Sequence, residues 1–166
     1  MFVKETKENV LLKYDKYLEK LVKYAEKELG VLINLHSNSF CYDVETQTIN
    51  CTSKLHGDLR FLCYLLHELG HHNQPDSVFH YLPRNGKKKI QCIVIEQEYF
   101  AWKIGWEIAL FLEMEDLWDT YIKEWMYSWH HYLNNINKFA IEELRDLKSA
   151  YPASNIHPFT GEEYEK

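Results

Sequence analysis

From Thr6 to Leu29 the apolar positions fall three and four apart, at Val10, Tyr14, Leu18, Leu21, Val22, Ala25 and Leu29. That spacing predicts an amphipathic helix, and Gly30 supplies its stop. The period then changes: Val31-Leu32-Ile33-Asn34-Leu35 reads as a short strand. Ser39 to Tyr42 and Thr48 to Thr52 predict two more strands around an Asp43-to-Gln47 turn, so a small sheet with a hairpin is expected. Asp58 opens a second helix carrying Leu59, Phe61, Leu62, Leu65, Leu66 and Leu69, which should end near Asn73, ahead of Pro75. Pro75, Pro83, Asn85 and Gly86 mark Gln74 to Lys89 as a loop. A third helix is expected from about Ile90 to Leu112. Asp116 to Ala150 reads as helical in two pieces with a weak break near Asn134-Asn135, and residues 151–166 as an irregular tail.

The pattern predicts an α+β fold, mostly helical, with a small sheet in the N-terminal half. One domain is expected over residues 1–150, its C-terminal part a helical extension. A chain of 166 residues with 46% hydrophobic and 27% charged residues has the balance of a globular domain with a sizeable core. The net charge of −6 argues against a broad nucleic-acid footprint, which needs a basic face. The one basic run, Lys87-Lys88-Lys89, reads as a solvated loop. No apolar run approaches the roughly 18 residues of a membrane span, and Met1 to Lys20 lacks the apolar core of a signal peptide. Cys41, Cys51, Cys63 and Cys92 form no CxxC pair, so free thiols and a cytoplasmic location are expected.

The second helix contains His67-Glu68-Leu69-Gly70-His71, an HExxH motif. Residues four apart on an α-helix lie about 40° apart around its axis, so both imidazoles leave one face. Two neutral imidazoles suit zinc, and a catalytic site adds a third protein ligand and an open position for water. Glu68 projects about 60° from His71, placed to take a proton from that water without ligating the metal. Gly70 costs about 1 kcal/mol against Ala in a helix interior, which suggests a close packing partner. His72 points off the ligand face and reads as structural.

The third ligand decides the class. Ser77 stands where a metzincin would place its histidine, and His80 lies in the loop beyond Pro75. The third helix offers Glu96 and Glu98. Val94, Glu98, Ala101, Gly105, Ile108 and Leu112 form an apolar stripe with one carboxylate in it, and a carboxylate on a buried face needs a partner such as a metal. Ala101 and Gly105 are small enough to let this helix approach Gly70. Glu96 shares its face with Lys103 and Glu107 and reads as solvated. Glu98 is therefore favoured over Glu96 and His80.

His67 to His72, followed by Glu98-Tyr99-Phe100-Ala101-Trp102, resembles the small gluzincins of the ImmA/IrrE type and related phage-encoded metallopeptidases. The resemblance covers residues 6–112. In that family a Glu-x-x-Ala motif supplies the third zinc ligand, which maps onto Glu98 and Ala101. The element order is helix, small sheet, HExxH helix, then glutamate helix, a minimal zincin. The resemblance implies a cytoplasmic zinc peptidase acting on a protein or peptide substrate, with a regulatory protein as one such target.

Three functions follow from these features. The leading one is a zinc-dependent peptidase, with Glu68 as general base and Tyr81, His80 or Tyr64 as candidates to assist the oxyanion. The second is a non-enzymatic interaction or regulatory protein that keeps its zinc. It would use the aromatic stripe Trp118, Tyr121, Ile122, Trp125, Trp129 and Tyr132, which helical spacing equally explains as core. The third is a DNA-linked regulator, opposed by the acidic charge. An intact Glu68 favours the enzyme, because a structural zinc has no need of a base and is normally closed by four protein ligands.

Overall fold

The structure, a computed structural model, describes the backbone of residues 7–43, 45–74 and 86–150, and the side chains among them except those of 86–94 and 136–150. The fold is α+β and mostly helical, with one three-stranded sheet. Its elements are α1 (Lys7–Tyr24), β1 (Leu32–Ser37), β2 (Cys41–Asp43), β3 (Thr48–Thr52), α2 (Leu59–His72), α3 (Gly86–Phe111) and α4 (Trp118–Ala150). No described helix is long and apolar enough to cross a membrane.

Two compact units divide the chain. Met1–Asn73 with Ala101–Trp125 form the first, and Gln74–Phe100 with Met126–Lys166 the second. In the first unit α1 buries Tyr14 and Leu21 of the expected stripe, with Tyr17, which the stripe did not include, between them. Its continuation, Ala25–Leu29, is a single wide π-type turn that Gly30 ends at φ 69°, a left-handed conformation open to glycine. Polar bonds fasten α1 to the connection between α3 and α4: Tyr17 donates to Asp116 at 2.5 Å, and the Lys20 ammonium to the Leu112 carbonyl at 2.7 Å.

The sheet runs in the order β1-β3-β2, with β1 parallel and β2 antiparallel to β3. The expected hairpin is present, and the Asp43 carboxylate accepts from the amides of Glu45 and Thr46 in its turn. Central β3 turns Ile49 and Cys51 into the core. Burial, with the charge of Glu68 second, pushes the Cys51 thiol up to about 12, so it behaves as a packed apolar group.

Helix α2 starts where the sequence indicated. Asp58 is its cap, accepting from the Arg60 amide at 2.9 Å and pairing with the Arg60 guanidinium at 2.6 Å. The Arg60 bond holds the Asp58 carboxyl below its ordinary value. Asp58→Ala should cost about 1 kcal/mol in denaturant titrations at neutral pH. Since the folded-state pKa is depressed, that contribution is present above the unfolded value and fades as pH falls through the folded one. An equal difference between the two proteins at all pH values would show that the charge of Asp58 plays no part.

Two expectations are corrected. Helix α3 begins at Gly86, so Lys87-Lys88-Lys89 lies in a helix and not in a loop. The apolar period starts at Ile90, but lysine has a good helix propensity and extends the first turn. Helix α4 is continuous through Asn134-Asn135. The Asn135 side chain donates to the His131 carbonyl at 2.9 Å, staying within the helix instead of competing with it. The expected tail from Tyr151 and the stretch 75–85 lie outside the described residues.

In the second unit, Tyr99 of α3 packs edge-on against Trp129 of α4 with centroids 6.2 Å apart, and the Gln74 amide donates to the Gln97 carbonyl. The aromatic stripe of α4 divides along its length: Tyr121 is fully buried, Trp125, Trp129 and Tyr132 are half-buried, and Trp118 is exposed.

Candidate metal centre

The site is built on the last two turns of α2, which run through the core. Every residue from Leu65 to Gly70 is buried. Apolar neighbours explain Leu65, Leu66 and Leu69, but His67 at 4% exposure and Glu68 at 8% are the two buried polar residues of the described core. A polar group in such a place needs a partner to offset its lost hydration.

His67 and His71 point their Nε2 atoms at each other, 3.1 Å apart. Such a contact is either an N–H···N hydrogen bond or the footprint of one cation shared by both nitrogens. Zn–N bonds of about 2.05 Å at a tetrahedral angle separate two ligand nitrogens by about 3.3 Å, close to the spacing of this pair. Glu98 lies one turn ahead of Trp102 on the unbroken α3. His67, His71 and Glu98 each offer a ligand atom, and these atoms lie within 4.8 Å of one another. Glu96 is exposed and is no member of that group. The donor set of two imidazoles and one carboxylate is one that zinc accepts.

Among the described residues no hydrogen bond or ion pair reaches the Glu68 carboxylate, whose charge adds to burial in raising the Cys51 thiol.

The position of the helices follows from two glycines. A Cβ on Gly70 would overlap the carbonyl oxygen of Ala101 and lie 2.7 Å from its carbon. A Cβ on Gly105 would lie 2.5 Å from the Leu66 carbonyl oxygen. The two backbones therefore touch at both points, which the small residues Gly70, Ala101 and Gly105 make possible.

No family model, no curated protein and no solved structure matches the chain.

The remaining candidates fall as follows. The His72 Nδ1 meets the Tyr42 hydroxyl at 2.7 Å, tying α2 to β2, and burial lowers the pKa of His72. Tyr64 donates to the Glu124 carboxylate at 2.8 Å, which engages the hydroxyl that an oxyanion would need. His80 and Tyr81 lie outside the described residues. Sequence reasoning missed Trp102 as part of the site. Its ring is 1% exposed and stacks on His67 with centroids 4.4 Å apart and planes 28° apart. The signal was its position four residues after Glu98, on the same helical face.

Proposed function

We propose that the chain is a zinc-dependent metallopeptidase of the gluzincin type that hydrolyses a peptide bond in a cytoplasmic protein, with a regulatory protein as a fitting target. The observation that carries the reading is the buried face of α2. Two imidazoles bring their Nε2 atoms within 3.1 Å of each other, and the Glu68 carboxylate beside them has no hydrogen bond or ion pair among the described residues. A pair of structural histidines would not call for an adjacent buried acid.

His67, His71 and Glu98 would hold the metal. Zinc supplies Lewis acidity toward a water molecule and toward the scissile carbonyl. Glu68 accepts a proton from the attacking water as the new C–O bond forms, then returns it to the departing amine as the C–N bond breaks. His67 and His71 would serve as neutral donors, and the apolar packing of Leu66, Leu69 and Trp102 keeps bulk water from the buried side.

Metal analysis tests this reading directly. Protein reconstituted with zinc and dialysed should retain about one zinc per chain, as a three-ligand protein site does. His71→Ala should lose it, and Glu98→Ala should weaken it strongly while Glu96→Ala binds as wild type. A wild-type chain that retains no zinc sinks the proposal, and loss in Glu96→Ala with retention in Glu98→Ala transfers the third ligand.

A second reading draws on the outer surface of α4, where Met126, Tyr127 and Leu133 are exposed. In it the chain is a zinc-retaining interaction protein, and hydrolysis is absent at any substrate concentration.

A further inference from the structure

Trp102 is an expensive residue to bury. Its indole is 1% exposed, and its Nε1–H has no hydrogen-bond partner among the described residues. An unsatisfied buried donor is destabilising, a cost that a phenylalanine at the same place would avoid. The indole is also central to a layered aromatic stack. One face covers His67 at 4.4 Å, and Trp125 lies parallel at 6.4 Å with planes 10° apart. Tyr64 and Tyr121 stand edge-on to it at 6.0 and 5.2 Å. Tyr121 further donates to the Trp102 carbonyl at 2.6 Å, holding the backbone at that turn of α3. These neighbours confine the indole plane, and through it the plane of the His67 ring.

We propose that Trp102 is a positioning residue for the metal centre, setting the tilt of the His67 imidazole through face-to-face contact so that its Nε2 is aimed before any metal arrives. The inference rests on the zinc reading above. Ring nitrogens bind a metal along the plane of the imidazole, so a ring free to tilt meets the ion off its lone-pair axis. A hydrogen bond at the second nitrogen fixes a ligand histidine at one point. A broad π-face fixes the whole plane, and only tryptophan is wide enough to cover His67 while remaining wedged among Trp125, Tyr64 and Tyr121.

The test is a zinc affinity series on the full chain, with folding checked by circular dichroism. Loss of an outer partner of a ligand histidine typically costs about 10- to 100-fold in metal affinity, so Trp102→Leu should weaken zinc by that factor. Trp102→Phe keeps a smaller face and should fall between wild type and Trp102→Leu. Cobalt(II) in place of zinc should give altered visible absorption bands in Trp102→Leu, reporting a changed ligand geometry. Phe61→Leu is the control, since Phe61 is fully buried on the same helix and packs on Tyr14, Phe40 and His56, away from His67. It should lower the melting temperature with zinc affinity and cobalt spectrum unchanged. If Trp102→Leu does not fold, Trp102→Phe decides, because its zinc affinity and cobalt spectrum should both depart from wild type. Wild-type affinity and spectrum in Trp102→Leu overturn the inference, as do equal losses in Trp102→Leu and Phe61→Leu or a wild-type affinity and spectrum in Trp102→Phe. A wild-type chain that binds no zinc fails the function reading itself and is distinguishable from all three.

Discussion

Glu68→Gln should lower peptide hydrolysis by at least ~100-fold, the usual scale for losing a general base, with zinc content unchanged. The side chain keeps its size, but the amide cannot take a proton from water. Stability should hold or rise slightly, because a buried carboxylate with no partner among the described residues is replaced by a neutral group. The measurement is the appearance of new peptide termini in a peptide library and in host-cell lysate, with wild type and variant matched for bound zinc. Cleavage by wild type alone supports the peptidase. Equal cleavage by both removes Glu68 from the chemistry. A biological effect that persists undiminished in Glu68→Gln leaves the interaction reading, with the exposed Met126, Tyr127 and Leu133 of α4 as the place to mutate next.

Gly70→Ala should destabilise the fold by about 3 kcal/mol or more, at the upper end of overpacking penalties, because the obstacle is backbone and cannot rotate away. On an exposed helix the same change would stabilise by about 1 kcal/mol through helix propensity. Here the new methyl would overlap the Ala101 carbonyl oxygen, and relief requires moving α3 bodily from α2. For a domain of this length the loss corresponds to a melting temperature lowered by roughly 10 °C. Gly105→Ala should act in the same direction, since its methyl would meet both the Leu66 carbonyl and the Tyr121 hydroxyl. Separation of the helices should also weaken zinc in both variants, as Glu98 rides on α3. Thermal unfolding with and without zinc measures both effects. A Gly70→Ala protein as stable as wild type would mean that the helices do not make this contact.

Much of this arrangement is written in local signals. The helical period of α1, the Asp58 cap, the Gly30 stop and the Asp43-to-Gln47 turn are each decided within a few residues, by side-chain spacing and by bonds between neighbours. The HExxH spacing likewise puts two imidazoles on one face of any helix that contains it. Glycine at 70 and 105 with alanine at 101 announced a close approach before its partner backbones were known, because a residue that weakens a helix must be tolerated for its lack of volume. Where local signals were weak, the expectation slipped: the first turn of α3 carries no apolar period, and α4 runs on through Asn134 and Asn135, the second of which bonds within the helix.

Only the tertiary structure decided the rest. Sequence separation says nothing of distance, so it could rank Glu98 above Glu96 by the company each keeps but could not bring a carboxylate of α3 within 4.8 Å of two rings on α2. Nor could it distinguish a core tryptophan from one laid flat against His67, since both need the same apolar position. The aromatic stripe of α4 shows the same limit. Tyr121 is fully buried and Trp118 on the same stripe is exposed, because burial depends on which neighbour the rest of the chain delivers to each turn. Spacing along a helix determines which side chains share a face, and packing between helices determines what that face meets.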